Sequence, residues 1–304
     1  ARQGGVTETI HGVEVSDPYR LLETETPTTR AWIEGQTGRT EAALEPFITD
    51  ERRERIASFM STGILDRSRI AGDRIFYQRR NADQEQQVLM VRPAVGEGST
   101  RVLLDPTTLG QRVAIDWFYP SPSGRLVAVG ISRNGDERSV LHVIDVEMGT
   151  LRETDRIEHA KWATVSWLHD ETGFYFTRYP REGEPNFDAD EQDTYWPRVF
   201  FHQLGDDPAN DRLIFGAEEP QNFPSPSVSD DDRWLVVEVM RGWSASDVLL
   251  YDRQNPEADP IEVSVGCDCL ISGAVRHGRL WLHTNEDHPR YRLMSVAPEQ
   301  AADR

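Results

Sequence analysis

The chain alternates short apolar runs with turn residues at a spacing that repeats. Five times a Gly or Asp, followed by Arg or an aromatic residue, opens an alternating apolar run. The openings are Asp73, Gly124, Gly173, Asp232 and Gly278, so the intervals are 51, 49, 59 and 46 residues. Intervals of this size are typical of the blades of a β-propeller.

Each opening run has companion runs that complete a blade. A second run follows it each time, at residues 88–91, 140–144, 199–201, 248–251 and 292–296. Weaker third runs follow at 102–104, 213–215 and 261–265, and a fourth run precedes the opening turn at 116–119, 162–167 and 270–272. Four short antiparallel strands form one blade. A single hairpin cannot bury both of its faces, so successive blades should stack on one another.

The predicted fold class is therefore mainly β, with a β-propeller over residues 67–304. Blades one to four and part of a fifth are present, because the fifth unit has its opening and second runs and then stops at residues 301–304. A propeller ring closes by pairing its first and last blades. We therefore expect this chain to be part of a longer polypeptide.

Residues 1–66 lack the strand repeat and are predicted to form a turn followed by two helices. Thr26-Pro27 is a helix start signal, since Pro is accepted in the first turn. Trp32, Gln36, Thr40 and Leu44 follow at four-residue intervals and are expected to share one stripe of the first helix. The second helix should begin at Asp50-Glu51 and carry Ile56, Phe59 and Met60 inward. Both helices need a surface to pack against.

Composition excludes several classes of partner. The net charge of −19 argues against nucleic acid or an anionic membrane surface, because both require a positive footprint. No run approaches the roughly 18 to 20 apolar residues of a transmembrane helix, and residues 1–5 form no signal-peptide core. These observations indicate a soluble protein of the cytoplasm or the periplasm.

Candidate chemistry within the chain is sparse. The nucleophile elbow G-x-S-x-G is absent, and in the nearest segment, residues 242–246, Ser244 is interpreted as a turn hydroxyl between two β runs. The polar cluster at 283–288 lacks the H-E-x-x-H spacing of a zinc helix and is interpreted as a loop. Asp230–Asp232 is interpreted as a turn between strands. We therefore predict no catalytic residue, metal or cofactor in this chain.

The two cysteines, Cys267 and Cys269, are separated by one residue. Within a strand or at its end, such close spacing disfavours a relaxed disulfide. Two ligands are also too few for a structural zinc site. Both are predicted to be ordinary thiols.

The N-terminal segment resembles a known family. His11-Gly12-Val13, residues 17–23 (DPYRLLE) and residues 31–36 (AWIEGQ) resemble the N-terminal signature of the prolyl oligopeptidases, whose usual form is close to D-P-Y-R-W-L-E-D. Leu21 stands in the usual Trp position, which keeps a large apolar residue there. Residues 116–125 and 141–146 also resemble the propeller of that family, so the resemblance runs over essentially the whole chain.

The resemblance implies a seven-bladed propeller that caps an α/β-hydrolase domain, with residues 1–66 packed on the hydrolase. Two further blades and the hydrolase, which would supply the catalytic Ser, Asp and His, are expected outside this chain. The implied activity is that of a serine endopeptidase that cleaves short peptides after proline, with the propeller gating access.

The resemblance also implies two substrate contacts, an aromatic side chain at Tyr175 and a guanidinium at Arg241. An aromatic ring can pack on a proline ring and an Arg can donate to a peptide carbonyl. Structural roles for both residues remain open, Tyr175 as blade core and Arg241 as a solvated turn. Two other functions also remain open for the chain: a free-standing propeller that binds a partner protein, and a propeller glycosidase that uses paired carboxylates.

Overall fold

The computed structural model describes residues 5–96, 98–216 and 219–303. These residues form two compact units that divide between Thr62 and Gly63. Residues 1–4, where no signal-peptide core is predicted, and Arg304, where the predicted fifth unit stops, lie outside the described residues. The predicted boundary at residue 66 falls inside the first strand of the second unit.

The first unit contains one hairpin and two helices. Its elements are β1 (Val6–Ile10), β2 (Val13–Asp17), α1 (Pro27–Leu44) and α2 (Asp50–Met60). Both predicted helix starts are confirmed. The Thr26 hydroxyl accepts from the backbone N–H of Thr29 at 3.1 Å and the Thr49 hydroxyl caps α2 in the same way. The hairpin was missing from the prediction. Its sequence signal is the pair of segments with alternating apolar and polar residues on either side of His11-Gly12. Both turn residues have positive φ in the structure.

The first unit has almost no buried interior. Among residues 5–62 only Thr29 is buried. The Trp32 ring is half-buried and meets the Tyr19 ring edge-on at 6.4 Å. Phe59 and Met60 are 69% and 65% exposed, and Ile56 is exposed as well. The prediction that α2 carries these three side chains inward is therefore wrong for the described chain, because no apolar layer of this unit covers them.

The second unit is built from five antiparallel sheets in chain order. Blade one holds β3 (Ile64–Ala71), β4 (Arg74–Arg80), β5 (Val88–Pro93) and β6 (Arg101–Leu104), and blade two holds β7 (Val113–Pro120), β8 (Leu126–Arg133), β9 (Val140–Asp145) and β10 (Thr150–Ile157). Blade three holds β11 (Val165–Trp167), β12 (Gly173–Arg178), β13 (Arg198–Gln203) and β14 (Arg212–Gly216).

Blade four holds β15 (Phe223–Val228), β16 (Trp234–Met240), β17 (Ser246–Asp252) and β18 (Ile261–Ser264), and blade five holds β19 (Ile271–Arg276), β20 (Arg279–Thr284) and β21 (Arg292–Val296). Within the described residues the fifth sheet has three strands and each of the others has four. The predicted mainly-β architecture of four blades and part of a fifth is confirmed.

The core lies between blades, as stacking requires. Four apolar clusters occupy the interfaces between consecutive blades. Successive residues of a strand point to opposite faces, so a middle strand contributes to two interfaces. On β12, Phe174 and Phe176 pack toward blade two whereas Tyr175 packs toward blade four. This two-sided burial explains why the runs that open blades two, three and four are almost continuously apolar.

The repeated opening turns are packed against one another. Gly72 has φ +56°, and a Cβ there would lie 2.2 Å from the carbonyl oxygen of Ser123 in the opening turn of blade two. Gly124 has φ +71°, and its Cβ would lie 2.7 Å from the carbonyl of Ala71. Glycine at these turns therefore lets neighbouring blades approach closely. In the described part of the chain, no helix is long and apolar enough to cross a membrane.

Candidate functional site

Arg241 lies at the end of the blades where the connections between consecutive blades are also found. In each of blades one to four the connection from the second to the third strand lies at the same end as the connection to the next blade, because the strands are antiparallel and sequential. Hydrogen bonds join these connections: the N–H of Tyr179 donates to the carbonyl of His159 at 2.9 Å, and the N–H of Ser246 donates to the carbonyl of Cys269 at 2.9 Å. We call this end the connection face.

Arg241 is the first residue after β16, in the turn that leads to β17. Its N–H donates to the carbonyl of Ala245 at 2.8 Å, and Gly242 takes φ +82° to close the turn. The Arg241 side chain is 28% exposed. Trp243, at the tip of the same turn, is 95% exposed. The turn thus holds one partly exposed guanidinium beside a freely accessible indole.

An ion pair and a hydrogen bond position the Arg241 guanidinium. Its Nε lies 2.9 Å from Oδ2 of Asp247, and its terminal nitrogen donates to the carbonyl of Cys267. The other carboxylate oxygen of Asp247 accepts from the N–H of Gly266 at 2.8 Å. Asp247 therefore ties the Arg241 turn to the connection between blades four and five. A guanidinium has five N–H donors, so these contacts leave donors for a ligand.

The structure corrects the prediction for the cysteines, because Cys267 and Cys269 form a disulfide. Strand β18 ends at Ser264, and Gly266 turns the chain with φ +75°. The two residues therefore lie in a turn beyond the strand, and their Cα atoms are 5.2 Å apart. That separation is within the usual range for a disulfide.

Blade three contributes a long connection, residues 179–197, to the connection face. It encloses a pocket of about 270 Å³ whose walls include Phe187, Tyr195 and Trp196 together with several carboxylates. Glu184 anchors the connection through two hydrogen bonds from the Arg178 guanidinium, at 2.6 and 2.8 Å. Burial alone would raise the pKa of Glu184, but the Arg178 contacts outweigh it and lower that pKa to about 2. The anchor is therefore an ion pair at neutral pH.

Tyr175 lies elsewhere. Its side chain is 2% exposed, and its ring contacts the Phe201 ring at a centroid distance of 5.0 Å. Its hydroxyl accepts from Nε of Arg253, in blade four, at 2.8 Å. Tyr175 thus lines the interface of blades three and four.

Tyr175 and Arg241 are not brought together. Tyr175 lies near the start of β12 and Arg241 follows the end of β16, so the two occupy opposite ends of corresponding strands. Their roles in substrate binding stay predictions.

The other segments weighed in the sequence are turns. Ser244 is exposed in the β16–β17 turn, and residues 285–291 connect β20 to β21. The carboxylates between β15 and β16 are held by neighbours: Asp231 accepts from the hydroxyl of Ser229 at 2.5 Å, and Asp232 accepts from the N–H of His169 at 2.9 Å. The interpretation as turns is correct for Ser244 and for Asp230–Asp232. In the polar cluster at 283–288, however, His283 and Thr284 belong to β20, and only residues 285–288 form a connection.

A buried charge network between blades two and three was missed. His202 is fully buried, with Nδ1 2.6 Å from Asp211 and Nε2 3.1 Å from Asp155. Burial lowers the pKa of His202, but its hydrogen bonds with the two carboxylates prevail and raise it to about 9. The hydrogen bonds of Asp155 with His202, Arg152 and Gly205 hold the pKa of that carboxyl below its usual range, against the effect of burial. The sequence shows only that His202 lies in an apolar run, and nothing in that run indicates that Asp155 and Asp211 are its partners.

Curated relatives of this chain are prolyl endopeptidases and prolyl oligopeptidases. The chain is 29% identical over 298 residues to the prolyl endopeptidase of Elizabethkingia meningoseptica, which covers 95% of this chain and 41% of the relative. It is 25% identical over 322 residues to prolyl oligopeptidase A of Galerina marginata, covering 93% and 43%. The chain therefore spans less than half the length of these relatives.

Solved structures share the fold. A structure from a mechanistic analysis of two prolyl endopeptidases and their inter-domain dynamics aligns with a TM-score of 0.85 and 31% identity, over 98% of this chain and 44% of the other. Prolyl oligopeptidase B of Galerina marginata, bound to a 35-residue substrate, aligns with a TM-score of 0.79, over 98% of this chain and 45% of the other; at 17% identity it shows the fold alone. The sequence family described as the N-terminal β-propeller domain of prolyl oligopeptidase matches residues 1–304, so the chain belongs to the prolyl oligopeptidase family.

Proposed function

We propose that this chain is the propeller part of a serine endopeptidase that cleaves short peptides after proline. The family match over residues 1–304 carries the proposal. Relatives named prolyl endopeptidase extend well beyond the matched region, since the chain covers 41% of the first of them. The catalytic Ser, Asp and His would belong to an α/β-hydrolase domain, where the serine forms an acyl-enzyme with the peptide.

The exposed apolar residues of the first unit support the proposed hydrolase domain. Its hairpin exposes Val13 and Val15, and its helices expose Ile33, Ile56 and Phe59. Since only Thr29 is buried among residues 5–62, the unit lacks an interior that would stabilise it alone. Exposed apolar side chains that are not covered by a core of their own unit favour docking on another protein surface. In the proposal that surface is the hydrolase domain of the same protein, as the family resemblance implies.

The connection face supports peptide recognition. Arg241 is fixed by Asp247 and by the Cys267 carbonyl while part of its guanidinium stays exposed. A fixed guanidinium donates well to a peptide carbonyl, because little side-chain freedom is lost on binding. In the proposal Arg241 contacts the peptide backbone. Tyr175, at 2% exposure, would reach a peptide only from the pocket between blades three and four.

The proposed gating role follows from the same architecture. A propeller that covers a hydrolase admits peptides and excludes folded proteins, so cleavage should depend on substrate size. No cofactor is required for this chemistry, since a serine nucleophile and its base suffice.

The test compares the 304-residue chain with the complete protein that carries it. Both are assayed with a short peptide that bears a chromogenic leaving group after proline, and with an arabinan. We expect the complete protein to release the chromophore, a serine-reactive reagent to abolish the release, and the chain alone to be inactive. Release by the chain alone would contradict the proposal, as would arabinan cleavage without peptide cleavage. A complete protein that cleaves neither substrate would leave the partner-binding propeller as the better account.

A further inference from the structure

Three potential metal ligands meet where the blade four to five connection approaches the hairpin of blade five. The sulfur atoms of Cys267 and Cys269 and a carboxylate oxygen of Glu286 all lie within 4.8 Å of one another. The Sγ of Cys267 is 3.9 Å from Oε1 of Glu286. Sequence inspection found only two ligands because the third comes from a separate loop. We call these three residues the Cys-Cys-Glu cluster.

We propose that the reduced Cys-Cys-Glu cluster is a binding site for a thiophilic divalent cation of the Zn²⁺ class, and that the Cys267–Cys269 disulfide closes it. Two thiolates and one carboxylate are a donor set that Zn²⁺ accepts, and three protein ligands leave one coordination position for water. Zn–S and Zn–O bonds of about 2.3 and 2.1 Å at a tetrahedral angle place sulfur and oxygen ~3.6 Å apart. The observed separation of 3.9 Å between Sγ of Cys267 and Oε1 of Glu286 is close to this value. The two sulfurs, which are bonded in the oxidised chain, must move apart to about 3.8 Å after reduction.

The loops that carry the ligands are fixed to each other. The N–H of Leu270 donates to Oδ1 of Asn285 at 2.7 Å, and the N–H of Asn285 donates to the carbonyl of Leu270 at 3.1 Å. On the other side the carbonyl of Cys269 accepts from the N–H of Ser246. The N–H of Glu286 donates to the hydroxyl of Thr284 at 3.0 Å. The backbone of the site is thus arranged before a cation binds, which reduces the cost of binding.

The site is accessible and its surroundings suit a cation. Cys267 and Glu286 are partly exposed, whereas Cys269 is buried at 4% exposure. Asp268 and Asp287 flank the cluster and are exposed, and the whole chain carries a net charge of −19. A negative local field favours cation binding and opposes anions.

Opening the site is a two-electron reduction. A water-soluble phosphine breaks the S–S bond, becomes the phosphine oxide with oxygen from water, and leaves two thiols. Cation binding then displaces the two thiol protons, because thiolates are the ligands. The oxidised chain has no thiolates to offer, so binding depends on the redox state.

The location gives the site a second consequence. The carbonyl of Cys267 accepts from Arg241, so a cation on the Cys267 sulfur would act on the residue next to the proposed peptide contact. Metal binding itself does not depend on the proposed function and is measured without peptide turnover.

The experiment uses the 304-residue chain, oxidised or reduced with phosphine without oxygen, and Co²⁺ as the probe. We expect one equivalent of Co²⁺ to give thiolate-to-cobalt absorption in the reduced chain only, and Zn²⁺ to displace it. Cys269→Ser should abolish the absorption. Glu286→Gln should weaken Co²⁺ binding at least about tenfold, whereas Asp259→Asn, a change to an exposed carboxylate in the β17–β18 turn, should not. The Cys267→Ser/Cys269→Ser double variant measures binding by the histidines of the chain.

Circular dichroism of the reduced chain accompanies each titration. Absence of thiolate-to-cobalt absorption in a folded reduced chain would overturn the proposal. Equal affinity in the wild type and Glu286→Gln would also overturn it, because the cysteines alone would then hold the ion. Unfolding on reduction would show that the disulfide is structural and that no preformed site exists, which overturns it as well.

Discussion

Arg253 of blade four donates a hydrogen bond from Nε to the hydroxyl of Tyr175 in blade three, at 2.8 Å. A second nitrogen of the same guanidinium donates to the carbonyl of Asp232. The Tyr175 ring is meanwhile packed against Phe201. Tyr175 therefore couples an apolar interface to a charged hydrogen bond, and this role does not require a bound peptide.

Tyr175→Phe separates the two contributions. The ring is retained, so no cavity forms, and only the hydrogen bond to Arg253 is lost. We expect unfolding to become easier by about 1.5 to 3 kcal/mol, the range for hydrogen bonds to charged groups. Denaturant unfolding of the 304-residue chain measures the change. An unchanged midpoint would mean that water replaces the hydroxyl without cost, and a loss of peptide turnover at unchanged stability would instead support the substrate role.

The His202 network predicts a dependence of stability on pH. The pKa of His202 is raised to about 9 in the folded chain, against about 6.5 when unfolded. Its contribution is therefore fully present below pH ~6.5 and is lost as the pH rises through about 9. A shift of this size corresponds to about 3 kcal/mol.

His202→Gln is the matched variant, because it keeps a polar side chain between Asp155 and Asp211 while removing the titration. Urea unfolding at pH 6, 7.5 and 9.5 should show the wild type losing its advantage over the variant as the pH rises. A constant difference across this range would show that His202 does not carry a stabilising charge. In acid the advantage should also shrink, since the pKa of Asp155 is lowered and its stabilisation is lost as the carboxyl is protonated.

Strands buried on both faces could be predicted from the sequence, and edge strands often could not. The opening runs on β8 and β16 are continuously apolar because they fill two interfaces. In contrast, β3 and β10 are largely polar and exposed, and only their hydrogen bonds to one neighbour define them. Strand β15 contains Pro224 and Pro226, which an edge strand tolerates because it pairs on one side alone.

The candidate site was less accessible to sequence reasoning. Arg241 was nominated from the family resemblance, and composition and spacing gave no reason to select it among many arginines. Its partner Asp247 follows a turn whose closure depends on Gly242. The disulfide was missed because the sequence did not show that β18 ends at Ser264 and that Gly266 turns the chain just before the two cysteines.

Arg241→Ala should weaken peptide turnover by the complete protein. If the guanidinium donates to a substrate carbonyl, its loss should cost about 1.5 to 3 kcal/mol of transition-state stabilisation, read from kcat/KM. Asp247→Asn should raise KM by a smaller factor, because Arg241 remains but is held less firmly. Arg290→Ala, which removes an exposed arginine from the neighbouring hairpin, serves as the control. An unchanged kcat/KM in Arg241→Ala at unchanged melting temperature would assign Arg241 to the turn alone.

The last prediction tests whether the first unit docks on a further domain. In the described chain Trp32 is half-buried and contacts Tyr19, so Trp32→Ala should change the stability of the 304-residue chain by no more than about 0.5 kcal/mol. If a hydrolase domain covers α1, the same substitution in the complete protein removes a large buried side chain and should cost roughly 3 to 5 kcal/mol. Denaturant midpoints of both proteins, with the exposed Thr37→Ala as the control, measure the contrast. Equal small shifts of the denaturant midpoint in both proteins would show that α1 is not docked on a further domain. That result would contradict the peptidase architecture proposed for this chain.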